Sequence, residues 1–198
     1  MPSQSFFQYC EELLIKYKDD FRIWNIGGYK FPGLKGDDYS YTFSRYPHIW
    51  GWATWADRWK SYDVEIKNFK DNRDIIFQYE YFKESYQNNH IGKILDNVVS
   101  GGIDTWDYQW GFTLRSNNAL SIRPKKNLVS NIGFGTDDAT HTKSINKEIE
   151  DNLAEELDLP LKHPDFVMVY NIDDQIFEKK YRDFRFLSKL KRKINNLF

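Results

Sequence analysis

The sequence holds a single cysteine, Cys10, so it contains neither an internal disulfide framework nor a multi-cysteine zinc cluster, and it suits a reducing compartment. An excess of one charge is lacking too. Lys and Arg number 28 against 29 Asp and Glu, a formal net charge of −1, so no electrostatic pull toward nucleic acid is built into the whole chain and no nucleic-acid partner is expected. No apolar run approaches the roughly 20 residues that cross a bilayer, and Met1-Pro2-Ser3-Gln4 has neither the basic nor the apolar stretch of a secretion signal. The expected location is therefore the cytoplasm. Internal repeats and low-complexity linkers are missing as well. At 198 residues the chain can form one domain with a real core, or a large piece of a bigger domain, and is too short for two.

Aromatic residues are what the chain has in excess. Its 7 Trp, 13 Tyr and 15 Phe make up 18% of a polar chain of mean hydropathy −0.72. Rings bury large areas at low entropic cost and also stack on sugar faces, which suits a tight core or a carbohydrate-handling cleft.

Local patterning predicts an α/β chain. Ser3 is placed to cap a helix running to about Asp19, with Phe6, Cys10, Leu13, Leu14 and Tyr17 on one face. A strand is expected from Phe21 to Ile26, ending at Gly27-Gly28, then an exposed loop through residues 31–38 and a second strand at Tyr41–Ser44. Trp52, Trp55 and Trp59 fall at i, i+3 and i+7, which predicts a shared helical face. Residues 66–99 read as helical scaffold with Phe77, Tyr81, Ile91, Leu95 and Val98 turned inward. After Gly101-Gly102 a helix is expected to carry Trp106, Trp110, Thr113 and Leu114 on one side and Asp107 on another. Two further strands are expected at 119–124 and 128–133, a polar loop at 135–142, an apolar strand at 166–170 and a basic helix running through Lys179, Arg185 and Lys193.

Asp104 and Asp107 are the residues best placed for chemistry. A carboxylate at the mouth of a helix, beside a glycine turn and fenced by tryptophan, can be partly desolvated and act as a general base. The same positions suit a helix cap and a solvated first turn, where the macrodipole favours negative charge. His141, in a loop between threonines, has the chemistry to ligate a metal or a diphosphate, and equally the makings of an exposed loop histidine. The block from Trp50 to Trp59 offers rings for stacking on sugars or for a core stripe. Within it Gly51 and the His48-Ile49-Trp50 turn are the better ligand contacts, because glycine permits close backbone approach. The basic tail suits anionic lipid headgroups or plain solvent exposure.

Three runs carry a resemblance: Arg45 through Trp55, Asp104 through Trp110, and Asn127 through Gly135 together with Ala139-Thr140-His141-Thr142. They closely resemble bacterial nucleotide-diphospho-sugar transferases of the family 2 type, often labelled hemolytic-protein-like, over roughly residues 1 to 142. The resemblance implies the C-terminal, acceptor-side portion of a GT-A-type α/β fold at residues 1–145, followed by an extension at 146–198 ending in a basic helix. It implies that Asp107 is the catalytic base, with Asp104 the runner-up, and that His48, Trp50, Gly51, Trp52, Trp106 and Gln109 contact substrate. His141 would reach the metal or the diphosphate, and the complete enzyme would use a divalent cation, Mn or Mg. The implied reaction is attack of an acceptor hydroxyl on the anomeric carbon of a nucleotide sugar.

The chain departs from the family at its start, where Met1 stands in place of the acidic metal motif and the nucleotide-binding βα units. The expectation is that the isolated chain does not transfer sugar and that a separately encoded N-terminal half is a partner. The rival expectations are a non-catalytic carbohydrate-binding or adaptor protein, and a membrane-surface protein working through its tail at the inner face of the membrane.

Overall fold

The β-prone run after the first helix forms β1 (Ile23–Gly27), nearly all of it buried. It lies inside a mixed sheet with β2 (Tyr41–Ser44), β3 (Trp52–Ala53) and β4 (Leu120–Pro124), in the order β2-β4-β1-β3. The computed structural model describes residues 1–76, 78, 85–132 and 151–180, with backbone alone at 85–90. β1 and β4 are parallel, with Ile26 opposite Ile122, whereas β2 and β3 run antiparallel to their neighbours. A parallel pair needs a long crossover, and the chain between β1 and β4 supplies it with most of the helices. The protein is thus a mixed α/β protein with a four-stranded mixed sheet.

Helix α1 (Gln4–Lys16) packs Tyr9, Cys10 and Leu13 against Ile23, Ile26, Phe43 and Ile122 of the sheet. Its N-terminus is satisfied differently from the sequence reading. Ser3 makes no side-chain cap, and its Oγ lies 3.2 Å from Ser5 Oγ instead. The amides of Gln4 and Ser5 donate to the two carboxylate oxygens of Glu156 at 2.9 and 2.8 Å. A charged acceptor taking two orphan N–H groups outcompetes one hydroxyl. At the other end buried Arg58 donates to the Lys18 carbonyl at 2.6 Å and lies 4.3 and 4.6 Å from the rings of Phe21 and Trp55, where a cation favours the helix C-terminus.

The expected tryptophan helix is not one helix. Gly51 adopts φ +61°, and Trp52-Ala53 continues as β3, pairing with Gly27 and Ile26. Only Ala56–Trp59 is helical, as α2. Pairing along the edge of β1 satisfies main-chain groups that a helix would have left to itself, and Thr54 Oγ1 reinforces it by donating to the Trp24 carbonyl at 2.6 Å. Trp52 and Trp59 still meet, at 5.6 Å between centroids. Trp55 turns the other way and donates to the Leu14 carbonyl at 2.9 Å.

Helices α3 (Lys67–Ile76), α4 (Ser85–Val99) and α5 (Asp107–Ser116) follow. Ile66, Phe69, Leu95 and Phe112 form their common core, with Ile91 and Val98 packed on it. Phe77 and Tyr81 lie outside the described residues. The strands expected at 128–133 and 166–170 reduce to single bridges, Pro2 with Val129 and Phe43 with Val169. Leu128 bonds Ser3 on one side and Gly28 on the other, so this stretch ties three segments together without joining a continuous ladder.

Residues 151–180 pack into the same body. Leu157 and Leu161 join the sheet's core, and helix α6 (171–180) docks through two buried acids. Asp174 lies 3.1 Å from Arg123 and accepts from Ser44 Oγ at 2.6 Å and from the Arg45 amide at 3.0 Å. Asp173 accepts from the amides of Lys35 and Gly36 at 2.8 and 3.1 Å. These donors offset the cost of sequestering the charges. The boundary expected at 145/146 and the tail beyond 180 fall outside the described residues. No described helix is long and apolar enough to cross a membrane.

The Glu156 cap carries a pH signature. Its hydrogen bonds from Ser5 and Gln4 hold the carboxyl below the usual range, so its stabilisation is present above the unfolded-state value of about 4.3 and is lost as pH falls through the folded-state value. In thermal melts, Glu156→Gln should melt below wild type at neutral pH, with the two curves converging in acid. A constant gap down to about pH 3 would show the carboxylate charge to be irrelevant.

Candidate functional site

Helix α5 builds the site from the sheet outward. Its inward face buries Trp110, Thr113 and Leu114, and Trp110 Nε1 donates to Asn25 Oδ1 of β1 at 3.2 Å while Asn25 Nδ2 donates to Ser121 Oγ of β4 at 2.8 Å. A buried indole N–H needs such a partner, and β1 supplies it. Around Trp110 stand Trp52 at 5.7 Å and Trp59 at 5.1 Å. Trp106, expected on the helix face beside Trp110, precedes the helix instead. It stacks on Trp52 at 5.3 Å and 22° and remains 39% exposed. Tyr62 stacks on Trp59 at 4.5 Å and 6°.

Asp107 opens α5, half-buried, and accepts a hydrogen bond from Thr105 Oγ1. Asp104 is exposed, and no side-chain cap is made at this helix start. Burial first, then the charges of Asp107 and Asp63, raise the Tyr62 phenol above its ordinary pKa, so the phenol and the Asp107 carboxylate share one environment. Gln109 is buried. Its Nε2 donates to the Thr105 carbonyl at 2.5 Å, and its Oε1 has no described partner.

Sequence reasoning placed Asp107, Trp52, Trp106 and Gln109 here. It read Trp59 as core and missed both Tyr62 and Thr105. Thr-x-Asp spacing before a helix was a usable signal for Thr105. Nothing local points to Tyr62, whose partners come from elsewhere in the chain.

His48 and Trp50 belong to a second aromatic group. Tyr29 contacts Trp50 at 4.7 Å, and the His48 ring lies 5.1 Å from Phe177 and 6.0 Å from Tyr29. Burial, aided by the positive charge of Arg123, pushes the His48 imidazole down to about 3. It is neutral at physiological pH and unsuited to charging against a diphosphate. Gly51 joins the two groups, and its glycine has a packing reason. A Cβ there would stand 2.4 Å from Val129 Cγ2, while the Gly51 carbonyl accepts from the Gly28 amide at 2.7 Å. On the Cβ side of Gly51 the close approach is made by Val129.

His141 lies outside the described residues, and among those described no three His, Cys, Asp or Glu side chains are grouped to hold a metal ion. The Mn or Mg expected of the complete enzyme therefore has its one expected ligand in this chain outside the described residues. An open cleft of about 490 Å³ lies elsewhere, lined by Lys16, Tyr17, Arg22 and residues 164–168, and none of the expected site residues borders it.

Replacing Gly51 by alanine should cost roughly 1–3 kcal/mol by overpacking, plus about 1 kcal/mol for the positive φ. The overpacking part should be recovered in Gly51→Ala/Val129→Ala, read by denaturant midpoints. Strict additivity of the two substitutions would mean that Val129 is not what Gly51 accommodates.

Comparison of the chain with protein-family models, with curated proteins and with solved structures gave no match in any of the three.

Proposed function

We propose that this chain is the acceptor-side, catalytic half of a GT-A-type glycosyltransferase of the family 2 kind, moving a sugar from a nucleotide sugar to a hydroxyl of a glycan or surface polysaccharide. One observation carries the reading. Trp52, directly after Gly51, lies face to face with Trp106, directly before Asp107, so two of the three resembling runs converge on one aromatic surface with a carboxylate beside it. Such a surface suits a sugar ring.

In this reading Thr105 occupies Oδ1 of Asp107 and leaves Oδ2 to take the proton of the acceptor hydroxyl. The hydroxyl oxygen forms the new bond to the anomeric carbon as the bond from that carbon to the diphosphate breaks. General-base assistance of this kind contributes roughly 10²–10⁴ in rate. A divalent cation would stabilise the leaving diphosphate in the complete enzyme, and this chain's described residues have no set of ligands for it. Action in the cytoplasm, with the basic segment after residue 180 at the inner membrane face, belongs to the same reading.

A non-catalytic carbohydrate-binding protein is the second reading. It is favoured by the stacked rings of Trp52 and Trp106 and of Trp59 and Tyr62, which can hold a sugar without a donor or a cation. Supplying a nucleotide-binding half and assaying transfer separates the two. Asp107→Asn and Asp107→Ala should lower the turnover by about 10²-fold or more, with acceptor affinity within about threefold. Wild-type turnover in either variant removes Asp107 from the chemistry, and a wild-type chain that binds glycans without any transfer favours the binding protein.

A further inference from the structure

We propose that the exposed aromatic surface of Trp59, Tyr62 and Trp106 is a subsite for a pyranose without negative charge, neutral or amino-bearing, that rejects uronates and other anionic sugars. The inference rests on the acceptor-side reading above for its place in a reaction, but needs no donor to be tested.

The rings form two stacked pairs, Trp59 on Tyr62 at 6° and Trp106 on Trp52 at 22°, both built on buried Trp110. Trp59 and Trp106 nevertheless keep 38% and 39% of their surface in water. A flat, electron-rich indole face matches the C–H face of a pyranose, and rings already held by their neighbours lose little freedom when a ligand covers them.

Charge sets the ligand class. Asp107 directly follows Trp106 and Asp63 directly follows Tyr62, Asp104 stands exposed two residues before Trp106, and after burial the charges of Asp107 and Asp63 raise the Tyr62 phenol. The neighbouring cations are engaged elsewhere or lie in solvent. Arg58 points to Trp55 and Phe21, Arg115 lies over the Tyr46 ring at 5.5 Å, Lys67 pairs with Glu65 at 3.2 Å, and Lys60 is exposed. A carboxylate on the sugar would meet these like charges, with exposed Lys60 offsetting them only weakly through solvent, whereas an ammonium or hydroxyl would find carboxylate acceptors.

Titration of the full chain by tryptophan fluorescence tests this, using methyl glucoside, galactoside and mannoside, glucosamine, and the matching uronates at equal ionic strength. Neutral and amino sugars should perturb the emission with about millimolar affinity, and the uronates should bind at least about tenfold more weakly. Trp106→Ala, at an exposed position ahead of the helix, should abolish the response. Asp63→Asn, at the carboxylate next to Tyr62 that has no part in the transfer chemistry, should narrow the discrimination by about twofold or more while leaving neutral-sugar binding in place. Uronates binding as tightly as neutral sugars, or no response to any neutral or amino sugar up to about 100 mM, overturns the proposal. Failed transfer alongside intact neutral-sugar binding would instead remove the transferase reading and leave the subsite standing.

Discussion

One buried hydrogen bond, from the indole of Trp110 to the side-chain oxygen of Asn25, decides where the aromatic surface stands. Asn25 is a polar residue at 0% exposure in an interior strand, an expensive placement unless both ends of its amide are used. Both are, by Trp110 and by Ser121 of the parallel neighbour. Helix α5 is thereby pinned to the sheet at one point. Trp52, Trp59 and Trp106 then take their places around an indole that cannot rotate, and Asp107 inherits its position from the same turn of helix. Were the bond absent, both polar groups would be stranded in an apolar interior, so the arrangement is specified more sharply than packing alone would manage.

Elements whose determinants are local were legible in the sequence. The apolar spacing of Phe6, Cys10, Leu13 and Tyr17 marked α1, and the short β-prone runs marked β2 and β4. The tryptophan stripe misled because i, i+3, i+7 spacing can also be met by a strand, a bend and one helical turn, once Gly51 takes a positive φ and Gly27 offers a free edge. Capping of α1 by Glu156 was not legible at all, since the partner lies 152 residues away from Gln4. For the site, the carboxylate at the start of α5 could be read from its neighbours. Gly51 signalled a close approach, but a glycine does not name what approaches, and Val129 is known only once the chain is folded.

Of the residues read as an extension, 151–180 form part of the fold. Arg123 is 2% exposed and faces Asp173 and Asp174 from β4, so a chain cut near residue 171 would bury a guanidinium without its counter-charges. Such a truncation loses the protein's integrity together with any contact the basic tail makes, and its phenotype would not isolate membrane attachment. The aromatic group around His48 shares this dependence, because Phe177 of α6 closes it.

The cross-ties between distant segments also bear on biosynthesis. Met1, Ser3, Gln4 and Ser44 are secured by Ser130, Leu128, Glu156 and Asp174, so the leading segment leaves the ribosome long before its partners exist. At roughly 10 residues per second that interval is on the order of ten seconds, during which the amides that open the first helix wait for the Glu156 carboxylate that caps them. Contacts of such long sequence separation form only after long loops have closed, and that entropic cost slows folding.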